Sequence, residues 1–234
     1  MKIVYEDAQI LVCHKEAGLA TQTARISEAD VVSKLKRHLA AAGRKSPYLG
    51  VIHRLDQPVE GLLLFAKDRG TAAELSRQLA DGTINKHYYA VLCGKPECEE
   101  GVLVDYLIKD AGSKAVVVTG NWELYPQAQK AVLRFRVLEH LEEPEELTLV
   151  DVEIETGRFH QIRAQFAHRD MPLVGDRKYA GRETPKKSYG LLAGHPALCA
   201  YRLECKHPQK GRNMNFSVSP EGRIFSKFSY FNKN

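Results

Sequence analysis

Short apolar runs bounded by turn residues dominate this chain, and three stretches keep apolar residues at helical spacing instead. Ile3 to Tyr5 and Ile10 to His14 read as two strands around a turn at Asp7, with Gly18 opening the next loop. From Ser27 the spacing changes. Val31, Val32, Leu35 and Leu39 form one helical stripe, Ser27 and Asp30 make a capping pair before it, and Gly43 stops it. Lys34, Lys36, Arg37 and His38 fall on the other faces, as a solvated surface or a phosphate-facing patch. Leu62 to Ala66, between Gly61 and Lys67, is far too short to span a membrane and reads as a core strand. Thr71 to Leu79 repeats the helical pattern through Ala72, Leu75 and Leu79, and Gly82 closes it.

Ile84 to Leu92 is rich in aromatic and branched residues, as strands are. Val102 to Ile108, Ala115 to Thr119, Ala131 to Leu138 and Leu147 to Ile154 add further strands, the last two joined by the acidic loop Glu142 to Glu146. Thr156 and Gly157 break the pattern. Arg158 to His168 can then form a helix with Phe159, Ile162 and Phe166 on one face, where Arg163 follows the buried side with its stem while its head seeks an anion. Ala197 to Lys206 and Met214 to Val218 close the series. Strands outnumber helices and are mostly sequential neighbours, which predicts an α+β fold with a mixed, mostly antiparallel sheet and helices packed on it.

At 234 residues, 44% of them hydrophobic, the chain can bury one sizeable core, so a single domain over residues 1–234 is expected. No N-terminal leader pattern and no long apolar stretch is present, which predicts a soluble cytoplasmic protein. Cys13, Cys93, Cys98, Cys199 and Cys205 are odd in number and show no CxxC spacing; they read as buried or inert thiols rather than a disulfide frame or zinc knuckle. The net charge of +5 hides an asymmetry. Residues 139 to 155 hold eight acids and no Lys or Arg, so elsewhere 34 bases face 21 acids, a surplus of 13. A basic surface with one acidic corner suits a polyanion such as nucleic acid, although the same charge also serves solubility.

The candidate chemistry lies at VIHRLDQPVEGLLLFAK, residues 51 to 67. His53, Arg54, Leu55 and Asp56 fall in a loop leading into the core strand, since Pro58 is excluded from a central ladder and Gly61 permits a bend. Composition alone would make this an ordinary charged loop with an inconsequential ion pair. The string, however, resembles the signature of the RluA-type RNA pseudouridine synthases, HRLD followed by a short linker and GLLL-x-AK. TGRFHQIRAQFAHRDMPLVGDRKYAG, from residue 156, is similar to that family's second signature, TGR-x-HQIR-x-H followed by GD-x-x-YG. The resemblance runs from about residue 5 to about residue 220. Many such proteins carry an S4-type RNA-binding module first; with a strand starting at Ile3, none is expected here.

The resemblance implies a pseudouridine synthase fold, its mixed sheet and flanking helices set around a central active-site cleft, and an isomerase acting as a monomer on structured ribosomal or transfer RNA without cofactor or metal. It implies Asp56 as the catalytic carboxylate, a role that needs no cofactor because a covalent intermediate can hold the base while the bond is remade. Arg163 is implied as the cation beside Asp56, Tyr88 of Lys86-His87-Tyr88 as the stacking residue and a proton handler, and Arg54 as the side chain filling the gap left by a flipped base. Ile162 completes an apolar floor, and His53, Arg158, His160 and Gln161 are implied on the RNA side. Two positions depart from the pattern. Glu60 stands where a small Ser is usual, so that its carboxylate either repels Asp56 or faces solvent, and Gln165 stands where a His is usual.

Two other classes compete. His14, His53, His160 and His168 suggest a metal hydrolase, but no HExxH or clustered carboxylate spacing supports it, and metal analysis discriminates. A catalytically silent RNA-binding module would keep the basic surface without needing Asp56, Tyr88 and Arg163 together.

Overall fold

The computed structural model describes every residue except 25–27, 44, 143, 145, 181–193 and 233–234. In chain order the elements are β1 (Lys2–Glu6), β2 (Ile10–Lys15), α1 (Val31–Ala41), β3 (Gly50–Val51), β4 (Glu60–Ala66), α2 (Arg69–Ala80), β5 (Asn85–Cys93), β6 (Glu100–Lys109), β7 (Ala115–Val117), β8 (Gln129–Leu141), β9 (Leu147–Ile154), α3 (Gln161–Ala167), β10 (Leu198–Lys206) and β11 (Asn213–Ser217). Contacts group them into two compact units: Met1–Lys86 with Cys199–Pro220, and His87–Leu198 with Glu221–Asn234.

In the first unit β4 is the hub. It pairs antiparallel with β2 and β3 and parallel with β10, which in turn pairs antiparallel with β11. All seven β4 residues are buried, as expected of a strand flanked on both edges. Gly61 is required there: its φ is +129°, and a Cβ would lie 2.5 Å from the backbone N and O of Ala200 on β10. Ile10, Val12, Leu62, Leu64, Leu75, Leu203 and Phe216 belong to one buried cluster with Ile84 and Met214. Helix α1 buries Val31, Val32, Leu35 and Leu39, the stripe predicted from spacing. Its cap differs from expectation. Asp30 is itself the N-cap, accepting from the Ser33 N–H at 2.7 Å while the Ser33 hydroxyl accepts from the Asp30 N–H at 3.2 Å; Ser27 lies outside the described residues.

In the second unit the strands run β5, β9, β8, β6, β7, each pair antiparallel. Short connections join β8 to β9 and β6 to β7, whereas β5 pairs with β9 and β6 with β8 across intervening strands, so those two pairings are set by tertiary packing. Helix α3 is shorter than its predicted span because residues 158–160 form a turn, with His160 held at φ +51°. Phe159 therefore leaves the apolar face. It is 42% exposed and stacks on the His160 ring at 3.8 Å between centroids, whereas Ile162 and Phe166 are buried as expected. No cysteine forms a disulfide; Cys98 is exposed and Cys13, Cys199 and Cys205 are buried.

Candidate functional site

Asp56 sits in a loop whose backbone is tied down on both sides of it. On one side the buried Thr21 hydroxyl donates to the Leu55 carbonyl (3.0 Å) and accepts from the Leu55 N–H (3.3 Å). On the other, the Gln57 carbonyl accepts from the Gly18 N–H (2.9 Å) and from the Lys15 ammonium (2.9 Å), and the Gln57 side-chain amide donates to the Gly18 carbonyl (3.1 Å). A turn closed by the Val59 N–H donating to the Asp56 carbonyl (3.0 Å) leads into β4. The segment 15–21 thus grips the loop while Asp56 keeps partial exposure and Arg54 is exposed. A fixed carboxylate with solvent access is what a nucleophile needs, because its position is then not lost to loop entropy.

Lys15 is the charge that sequence reading passed over. It is fully buried, and its ammonium also donates to the carbonyls of Glu16 (3.1 Å) and Leu19 (2.7 Å). Burial pushes its pKa down to about 8, against the Asp56 and Glu60 carboxylates, which favour the cation. A Lys ending an apolar strand just before Gly18 was the available signal. His53 serves the loop as well. Its Nε2 accepts from the Leu64 N–H at 3.2 Å, so the ring is neutral with its proton on Nδ1. Burial, and then the Lys86 ammonium, push its pKa down to about 3. Glu60 does not face solvent: it is buried, with its Oε2 3.9 Å from His14 Nε2.

In the second unit Tyr88 lies on β5 opposite Val152 and is buried, while Tyr89 points to the other face against Tyr230 and Phe231. Arg163, also buried, meets its anion in Asp176: Nε donates to Oδ2 at 2.6 Å and Nη2 to Oδ1 at 2.8 Å. Its guanidinium lies 5.1 Å from the Tyr179 ring centre. The Tyr179 hydroxyl in turn accepts from the Ala115 N–H at 2.6 Å and shares a proton with His160 Nδ1 at 2.8 Å. Asp176 and Tyr179 are the Asp and Tyr of the GDRKY string, residues 175–179. Gln161 spends its amide internally, accepting from the Thr156 hydroxyl (2.8 Å) and the Arg158 N–H (3.0 Å) and donating to the Val132 carbonyl (3.0 Å). Arg158 is exposed, with Nε on the Lys130 carbonyl, and Ile162 is buried. Gln165 braces the core of this unit: its amide donates to Asp105 at 2.7 Å, and Asp105 also accepts from Arg169 at 2.9 Å.

Among the described residues one group has the donors for a metal ion, His14, Glu60 and Cys199. A cavity of about 280 Å³ lined by Thr83, Asn85, Glu204, Lys206, Asn213 and Asn215, among others, contains none of the residues singled out by sequence. No helix among the described residues is long and apolar enough to cross a membrane.

Comparison with known proteins agrees with the two signatures. The chain is 32% identical over 232 residues to the ribosomal large subunit pseudouridine synthase D of Yersinia pestis, covering 96% of this chain and 69% of that protein. It is 30% identical over 208 residues to an uncharacterized RNA pseudouridine synthase of Bacillus subtilis, covering 89% and 65%. It thus spans about two thirds of the length of the curated relatives it matches. The solved structure of human RNA pseudouridylate synthase domain containing 4 shares the fold, with a TM-score of 0.76 at 22% identity over 96% of this chain and 91% of that one. Residues 9–168 match the model of the family described as RNA pseudouridylate synthase, and with the relatives' identity this shows that the chain belongs to the RluA-type RNA pseudouridylate synthases, a family of isomerases.

Proposed function

We propose that this protein isomerises a specific uridine of structured RNA to pseudouridine, with Asp56 as the nucleophile. The observation that carries the reading is the double anchoring of the Asp56 loop through Leu55 and Gln57, which leaves a rigid, accessible carboxylate beside the buried Lys15 cation. In this reaction the carboxylate adds to the substrate, the N1–C1′ glycosidic bond breaks, the uracil turns, and a C5–C1′ bond forms; the bond to the carboxylate breaks to free it again, the C5 proton leaves and N1 takes one up. Nothing is oxidised or lost, so a carboxylate and positioned side chains suffice.

The target base leaves its stack at a cost of about a few kcal/mol, and Arg54, exposed beside Asp56 in sequence, suits the vacated space. Tyr88 offers its ring to the flipped base, Ile162 an apolar surface, and Arg163 a cation held in one orientation by Asp176. His160 and Arg158, near exposed Phe159, and Lys109, 5.1 Å over the Phe159 ring, suit RNA contacts. The relatives named for the ribosomal large subunit support ribosomal RNA as the substrate and the cytoplasm as the place of action. The test is to map pseudouridines across cellular RNA with and without the gene. The purified chain is then supplied with the affected RNA segment: conversion at that one uridine is expected, and no site lost on deletion would overturn the reading.

A further inference from the structure

We propose that His14, Glu60 and Cys199 form a buried binding site for one transition-metal ion of the zinc class. The three residues come from adjacent strands, β2, β4 and β10. Cys199 is the direct register partner of Glu60, and His14 is the partner of Leu62, two residues further along β4 and therefore on the same face as Glu60. All three are at most 5% exposed, and their ligand atoms lie within 4.8 Å of one another.

The spacing suits a shared ion. Zinc binds nitrogen and oxygen at about 2.0–2.2 Å and sulfur at about 2.3 Å, so two tetrahedral ligands stand roughly 3.3–3.8 Å apart. His14 Nε2 and Glu60 Oε2 are 3.9 Å apart, too far for a hydrogen bond and close to that separation. The donor set also selects the ion. Magnesium and calcium require oxygen-rich shells, whereas a thiolate, an imidazole and a carboxylate together favour zinc or cobalt(II). A divalent ion would neutralise a buried carboxylate and a buried thiolate at once. Lys15 does not compete for the position: it alternates to the other face of β2, and its ammonium is held by three carbonyls.

The ion takes no part in bond making. Its effect is on β4, whose first residue Glu60 follows Asp56 by four positions and is a departure from the family signature, so binding pins the strand into which the Asp56 loop runs. The protein is stripped with a chelator and titrated with cobalt(II) as the probe, with zinc as competitor. One equivalent per chain should give the near-ultraviolet sulfur-to-cobalt charge-transfer band and tetrahedral visible bands, and zinc should abolish both and raise the melting temperature. Cys199→Ser should remove the charge-transfer band, and His14→Asn and Glu60→Gln should each weaken binding by about tenfold or more, with circular dichroism confirming that each variant is folded. Cobalt bound without the charge-transfer band, a band that survives in Cys199→Ser, or a wild-type melting temperature indifferent to zinc would overturn the site. Pseudouridine formation by the metal-free protein, measured in parallel, is expected to persist. It reports on the proposed activity separately, since Cys199 is outside the catalytic group.

Discussion

Arg163 and Asp176 form a two-point ion pair in which both carboxylate oxygens accept from one guanidinium, at 2.6 and 2.8 Å, with both side chains almost fully excluded from water. Removing one partner leaves the other charge buried without its counter-ion. Asp176→Ala should therefore destabilise the protein by about 3–5 kcal/mol in urea denaturation. Arg163→Lys should lose most of that amount too, because an ammonium cannot reproduce the planar fork. A shift below about 1 kcal/mol in both variants would mean that the pair is not the keystone of its unit.

Asp56→Asn keeps shape and removes the nucleophile. The rate of pseudouridine formation should fall by at least about a thousandfold while melting temperature and RNA affinity stay near wild type. Single-turnover assays with saturating enzyme measure the chemical step directly, and near wild-type yield would refute the assignment.

Thr21 both donates to and accepts from Leu55, so Thr21→Val leaves a buried N–H and a buried carbonyl without that partner. A loss of about 1–3 kcal/mol is expected. If the anchor also positions Asp56, kcat should drop at unchanged KM, and Thr21→Ser should restore it.

Arg54 and Arg163 should fail differently. Arg54→Ala should slow reaction most on a folded stem-loop and least on a short flexible strand, where unstacking is cheaper. Arg163→Ala should slow the chemical step on both. Uniform loss of affinity with a flatter salt dependence, and intact rates at saturating RNA, would instead assign both to phosphate contacts.

His53 carries a pH signature. The unfolded imidazole titrates near about 6.5 and the folded one at about 3, so between those values the unfolded chain holds a proton that the native state lacks. Stability should fall as the pH drops below about 6.5, by at most about 1.4 kcal/mol per pH unit from this group. His53→Gln should flatten that part of the curve relative to wild type. Equal slopes in the two proteins between pH 6.5 and about 4 would show that His53 protonates freely in the fold.

The chain's own pattern determined the strand and helix series, the α1 stripe, the Asp56 loop before a core strand and, through two long signatures, the family. These features are local, written in the spacing of apolar residues, turn formers and contiguous motifs. What the tertiary structure decided depends on partners distant in sequence. Thr21 reaches Leu55 across 34 residues and Lys15 reaches Gln57 across 42, so the grip on the Asp56 loop has no local sign. Phe159 turned outward because His160 takes a left-handed conformation, so the helix starts only at Gln161, which helical spacing does not register. From the sequence Glu60 either repels Asp56 or faces solvent, yet the strand begins two residues sooner than its apolar run and carries Glu60 inside, opposite Cys199. Periodicity records which face a residue takes once an element exists; where the element ends, and what stands across from it, is set by the packing of strands that the sequence keeps far apart.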